Sequence, residues 1–134
     1  MAQDFERVLK QNIGTSATEV RAAANSDDAI IGMRFANKTG SSVTVDATVK
    51  NSSTSYYLIK DAPVPAGGSL ELIDGGSKVV LQSGDSVEAL CDTASAVDVI
   101  LSVVDSISTQ FKEIIIWFRK YLKVVYQEIV LLKI

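Results

Sequence analysis

The chain has 134 residues, 47% hydrophobic and 22% charged, with a formal net charge of −3. That is enough for one domain, too apolar for a disordered segment, and without the Lys/Arg excess that a broad grip on nucleic acid requires. There is no His and one Cys, Cys91, which excludes His-based acid–base, triad and imidazole–metal chemistry and any internal disulfide.

Charge and turn residues divide the sequence near Ser106. Residues 1–105 hold eight Lys/Arg against fourteen Asp/Glu, a balance of −6, with all eight Gly and both Pro. Residues 106–134 hold five against two, a balance of +3, with Trp117 and four of the remaining aromatics. The division expected is an N-terminal arm or short helix over 1–14, a β-sandwich domain over 15–105 and an amphipathic helix over 106–134. Asp4, Glu6, Arg7 and Lys10 break up the first segment. It lacks the apolar run of a secretory signal, so synthesis in a cytoplasm is expected.

Next come the strands. Ala17 to Ala23 is a short candidate. Ile31, Met33 and Phe35 alternate with Gly32, Arg34 and Ala36. Asn37-Lys38-Thr39-Gly40 supplies a turn, and Val43, Val45, Ala47 and Val49 then alternate with Thr44, Asp46, Thr48 and Lys50. This period of two puts one face in a core and the other in water. Further candidates are Ser55 to Lys60, Ser69 to Ile73, Lys78 to Leu81 and Ser86 to Cys91. Val97, Val99, Leu101 and Val103 alternate in the last. Asp74-Gly75-Gly76 reads as a hairpin turn, since both residue types tolerate positive φ. Short strands at close spacing predict an antiparallel β-sandwich or small barrel.

The tail reads as a helix. Phe111, Ile115, Phe118, Leu122, Val125, Ile129 and Leu132 are spaced alternately by four and three, an apolar heptad seam. Ser108 is the expected N-cap. Arg119, Lys120, Lys123 and Glu128 interrupt the run, which argues against a membrane span. The expectation is that the seam packs on the chain's own sandwich or on a neighbour. The competing reading is an interfacial helix with Trp117 and the basic side chains at lipid headgroups.

Chemistry-bearing patterns are weak. Cys91 alternates with Val87 and Ala89 and reads as a small buried hydrophobe. Gly75-Gly76-Ser77-Lys78 has Ser before Lys and runs into a strand, unlike a phosphate-binding loop. Asp27-Asp28 is expected to solvate a strand start. Asp46, Asp61, Asp74, Asp85 and Asp92 are expected at turns or on outward faces, with no calcium-loop spacing. No cofactor and no metal are therefore expected, and no enzymatic activity. Of Tyr56 and Tyr57, one ring should face inward and the other outward, where it could stack on a partner or a sugar. The candidate interaction residues are thus Tyr56, Tyr57 and the seven seam positions.

One resemblance adds to this. Asn12-Ile13-Gly14-Thr15, Ile30-Ile31-Gly32, Phe35-Ala36-Asn37-Lys38-Thr39-Gly40 and Val43-Thr44-Val45 carry its first half. The run from Tyr56 through Ala62-Pro63-Val64-Pro65-Ala66-Gly67-Gly68 to Leu70 carries the second, with Lys78 to Asp85 and Val97-Asp98-Val99. In these residues the chain resembles small structural proteins of tailed bacteriophages, especially phages of cyanobacteria and other aquatic bacteria. The likeness spans about Phe5 to Ser106, and the helix beyond it departs from the pattern. It implies a virion structural role in the neck, the tail or as a particle accessory. A homo-oligomer in contact with other virion proteins is expected, located in the virion. The alternative is a carbohydrate-binding host-recognition module, with a glycan as partner.

Overall fold

The computed structural model describes residues 4–74, 76–107 and 109–132, with helix side chains described over 117–130. Nine strands and one helix follow in order: β1 (Phe5–Ile13), β2 (Thr18–Arg21), β3 (Asp28–Asn37), β4 (Val43–Asn51), β5 (Thr54–Val64), β6 (Ser69–Ile73), β7 (Val79–Leu81), β8 (Asp85–Cys91), β9 (Val97–Val104) and α1 (Thr109–Leu132). The strands form two antiparallel sheets. One runs β1-β9-β3-β6, with β7 also on β3, and the other runs β2-β8-β4-β5. The arrangement is a sandwich, as the alternating strands require, and not a closed barrel.

The inward positions are those that the period of two selects. Val97, Val99, Leu101 and Val103 of β9 face Val45 and Ala47 of β4 and Val87, Ala89 and Cys91 of β8 across one continuous core. Phe35 is the largest fully buried side chain and sits at the middle of the first sheet, in register with Val99 on β9 and Leu70 on β6. Such a core is held by apolar burial worth roughly 25 cal/mol per Å².

Three expectations are corrected. The segment read as an arm or short helix is strand β1 from Phe5 to Ile13, paired with β9 along its length. Only Val8 and Ile13 of its side chains approach the core, so an edge strand with two wet faces leaves little period-two signal. The turn at Asp74-Gly75-Gly76 does not make a hairpin, and its Gly75 lies outside the described residues. Asp74 does build a local turn, accepting bonds from Gly76 N through Oδ1 at 3.0 Å and from Ser77 N through its carbonyl at 3.1 Å. Yet β6 and β7 both pair antiparallel with β3, at Met33–Ala36 and at Asp28–Ile30. They therefore run the same way, end to end along one edge.

The third correction concerns the acids. Asp28 is fully buried, and Asp46 and Asp85 are also buried. Asp46 Oδ1 accepts the backbone N–H of Asp61 at 2.7 Å. Asp61 has φ of 52° and sits where β5 carries an extra residue against β4. The carboxylate thus satisfies a backbone donor that the bulge leaves without a ladder partner. Asp85 accepts from Asn51 Nδ2 at 2.7 Å and from Gln82 N at 3.0 Å. Asn37, also buried, donates through Nδ2 to the carbonyls of Ser41, Val64 and Pro65 and accepts from Thr39 N and Oγ1. One side chain therefore ties the β3–β4 loop to the β5–β6 loop.

Candidate interaction surface

Among the described residues no group of three His, Cys, Asp or Glu is placed to hold a metal. Cys91 is buried, and desolvation pushes its thiol pKa up, away from thiolate chemistry. The features left to do something are apolar surfaces.

Tyr56 and Tyr57 are both exposed, at 61% and 57%, against the expectation of one ring inside. Tyr57 pairs with Thr48 and faces outward. Tyr56 pairs with Val49, on the inward side near the end of the β4–β5 hairpin, where Val49 itself is only half-buried. Lys60 Nζ lies 5.2 Å from the Tyr57 ring centroid, within cation–π reach, and 3.7–3.8 Å from Asp61 and Asp46. A hollow of about 140 Å³ adjoins Tyr57, between Asp46, Thr48, Ser55 and Glu88. Pockets for drug-sized ligands begin at roughly 300 Å³, about twice this volume.

The helix seam is the second candidate. Within α1, Phe118, Leu122 and Ile129 are 54%, 52% and 47% exposed, and Val125 is half-buried. The described seam side chains therefore do not pack on the chain's own sandwich as a sandwich-covering helix would. Phe111, Ile115 and Leu132 belong to the helix, but their side chains lie outside the described residues, as does the expected cap Ser108. Trp117 and Tyr121 stack with ring centroids 5.6 Å apart and planes 8° from parallel. Lys120, Lys123 and Gln127 occupy the opposite side of the helical wheel, and Arg119 lies on the flank between. No helix among the described residues is long and apolar enough to cross a membrane.

The base of this helix is built by groups that sequence reading missed. Asp28 accepts from Ser26 Oγ and from Ser106 N through Oδ1, each at 2.8 Å, and its Oδ2 pairs with the Arg21 guanidinium. Ser106 has φ of 53°. Asp105 and Asp4 exchange bonds, Asp105 N to the Asp4 carbonyl at 3.0 Å and Asp4 N to Asp105 Oδ1 at 2.9 Å. Ile107 N donates to the Asp27 carbonyl at 2.8 Å. The chain leaving β9 is thereby held to the first residues of both β1 and β3. Arg21 lies seven positions before Asp28 and Ser106 seventy-eight after it, so only the fold brings them together.

A titratable pair sits at the same place. Glu6 is pushed above its ordinary carboxyl pKa, first by a hydrogen bond with Asp105, then by burial, then by the charge of Asp105. The folded chain thus binds this proton more tightly than the unfolded one. Stability from the pair is present below the ordinary Glu range and declines as pH rises through the raised value. Glu6→Gln keeps a donor to Asp105 without the repulsion. Its melting temperature is expected to exceed that of the parent slightly at about pH 7 and to match it near pH 4. A variant that melts lower at neutral pH would contradict the pairing.

A second apolar surface lies on the outside of the β1/β9 sheet. Phe5, Leu9, Val80 and Ile100 are all exposed there. Leu9 and Ile100 are direct cross-strand partners and line a shallow groove of about 410 Å³ with Lys10, Gln11 and Asp98.

No protein-family model matches the chain. No curated protein matches it in sequence. Solved structures do match in fold. A chain from the acid-stable capsid structure of Helicobacter pylori bacteriophage KHP30 is 8% identical with a TM-score of 0.51, over 78% of this chain and 88% of that one. A subunit of the disulfide-linked pili of Bacillus endospore appendages is 15% identical with a TM-score of 0.48, over 80% and 88%. A pentameric capsid protein from metagenomic phage sequences is 16% identical with a TM-score of 0.43, over 75% and 60%. The capsid chain establishes the class of fold, a two-sheet antiparallel sandwich. Identities this low establish nothing finer.

Proposed function

We propose that the chain is a structural subunit of a phage particle, acting through protein–protein contacts in the neck, in the tail or as an accessory on the particle. The observation that carries this reading is the distribution of apolar surface. The core is closed, yet large side chains stand in water along α1 and along the outer β1/β9 face. Exposed apolar patches of this kind mark interaction sites. The sequence resemblance between about Phe5 and Ser106 and the sandwich shared with a phage capsid chain support the same reading. A sandwich presenting edges and one apolar outer face suits repetition around a symmetry axis.

The test is quantitative mass spectrometry of density-purified particles from an infection that produces the chain. Several copies per particle are expected, in fixed ratio to the major capsid protein. Its absence from washed particles, with free protein abundant in the lysate, would overturn the proposal.

A further inference from the structure

We infer that α1 is a self-association element, and that its occupant is α1 from other copies of this chain, joined in a parallel bundle of three or more. The inference deepens the assembly reading, on which it rests, by naming the partner and the contact.

Helix spacing gives the first argument. The seam holds alternating steps of four and three over seven positions, Phe111 to Leu132, which is the repeat that keeps one face against a partner helix. Phe118 and Val125 then fall at heptad position d, and Leu122 and Ile129 at a. Exposure points the same way. Three of the four described a and d side chains, Phe118, Leu122 and Ile129, leave about half their surface in water, so the chain's own sandwich does not take up the seam.

Width then decides the number. A helix of 24 residues is about 36 Å long, and a two-helix seam of a and d alone would leave much of this apolar surface wet. Tyr121 at g and Tyr126 at e, on either flank of the seam, are also exposed. Apolar side chains on the flanks of a seam are covered only when each helix touches two neighbours. Three or more copies in closed cyclic symmetry must place their helices parallel. Lys120 and Lys123 then face outward.

The experiment uses the full chain in sedimentation equilibrium and mass photometry at micromolar concentration. It is compared with a seam variant, Leu122→Glu with Ile129→Glu, and an opposite-face variant, Lys123→Glu with Gln127→Glu. Far-UV circular dichroism checks that the β signal is intact in each. The parent and the opposite-face variant are expected at three or more times the chain mass, and the seam variant at the chain mass with reduced helical signal. A monomeric or strictly dimeric parent overturns the inference. So does an unchanged mass for the seam variant, which would leave assembly to the sandwich and the structural role standing. A monomeric parent that floats with anionic vesicles through the same seam residues overturns it in favour of lipid. An intact oligomer that is missing from particles would instead fault the virion role and leave the bundle in place.

Discussion

Asp28→Ala is expected to destabilise the sandwich by about 3–5 kcal/mol, the range for removing one partner of a buried ion pair. Asp28 has no exposed surface, and the Arg21 side chain beside it is only 11% exposed. Losing the carboxylate leaves a guanidinium with no counter-charge and removes the acceptor used by Ser26 Oγ and Ser106 N. An unmet buried donor alone costs roughly 1–3 kcal/mol. Domains of this size have total stabilities of roughly 5–15 kcal/mol, so the substitution removes a large share.

Asp28→Asn separates the two contributions. It is nearly isosteric and keeps an acceptor for the Ser106 and Ser26 donors, but it turns an amide N–H₂ or a neutral oxygen toward Arg21. Its loss should be smaller than that of Asp28→Ala and should shrink further in combination with Arg21→Ala. Chemical denaturation of the four chains gives the double-mutant cycle. A cost below about 1 kcal/mol for Asp28→Ala would mean that water reaches the pair. Because Ser106 is one of the three donors, hydrogen exchange at residues 104–107 should quicken in Asp28→Ala, freeing the base of α1 before the sheets open.

The contrast between what sequence reveals and what it hides follows from range. Val43 to Lys50 and Val97 to Val104 were readable because both sides of their alternation are local, and they form β4 and β9 as the pattern demands. Ser69 to Ile73 was readable to the residue because Gly67-Gly68 and Asp74 bound it. The path after Asp74 was not, because turn chemistry at Asp74 is the same whether the next strand folds back on β6 or continues along β3. β1 hid because its cross-strand partner β9 lies some ninety residues away and most of its own side chains meet water. Asp28 hid for a related reason, since its three donors are dispersed over the chain. For Tyr56 and Tyr57 the alternation predicts one ring inside, whereas both are exposed. Alternation places one of them on the inward side, but it cannot say that the inward ring stays 61% exposed. As for the helix, its seam is legible as a pattern, whereas the partner that covers it is a property of other molecules and appears in no single sequence.

Phe35→Ala is the other large effect, at about 3–5 kcal/mol. Phe35 points from the centre of the β1-β9-β3-β6 sheet into the layer between the sheets, with no exposed surface. Val99 and Leu70 flank it in register. Truncation removes the transfer free energy of the ring and leaves a void that rigid neighbours on two strands cannot fill. The cost therefore tracks how far the sheets can close. Phe35→Leu retains most of the volume and should cost less than half as much, since shape changes that preserve bulk are tolerated best. The two variants together distinguish a tightly packed layer from a loose one in urea titrations with a common slope. Equal losses for Leu and Ala would mean that the ring's shape, not its volume, holds the sheets apart. A loss near zero for both would mean that the core does not pass through Phe35 at all. Since none of the described seam residues belongs to this core, neither variant should alter the mass of the assembled chain until the sandwich itself unfolds. Loss of assembly in a still-folded Phe35→Ala would place the interface on the sheets and not on α1.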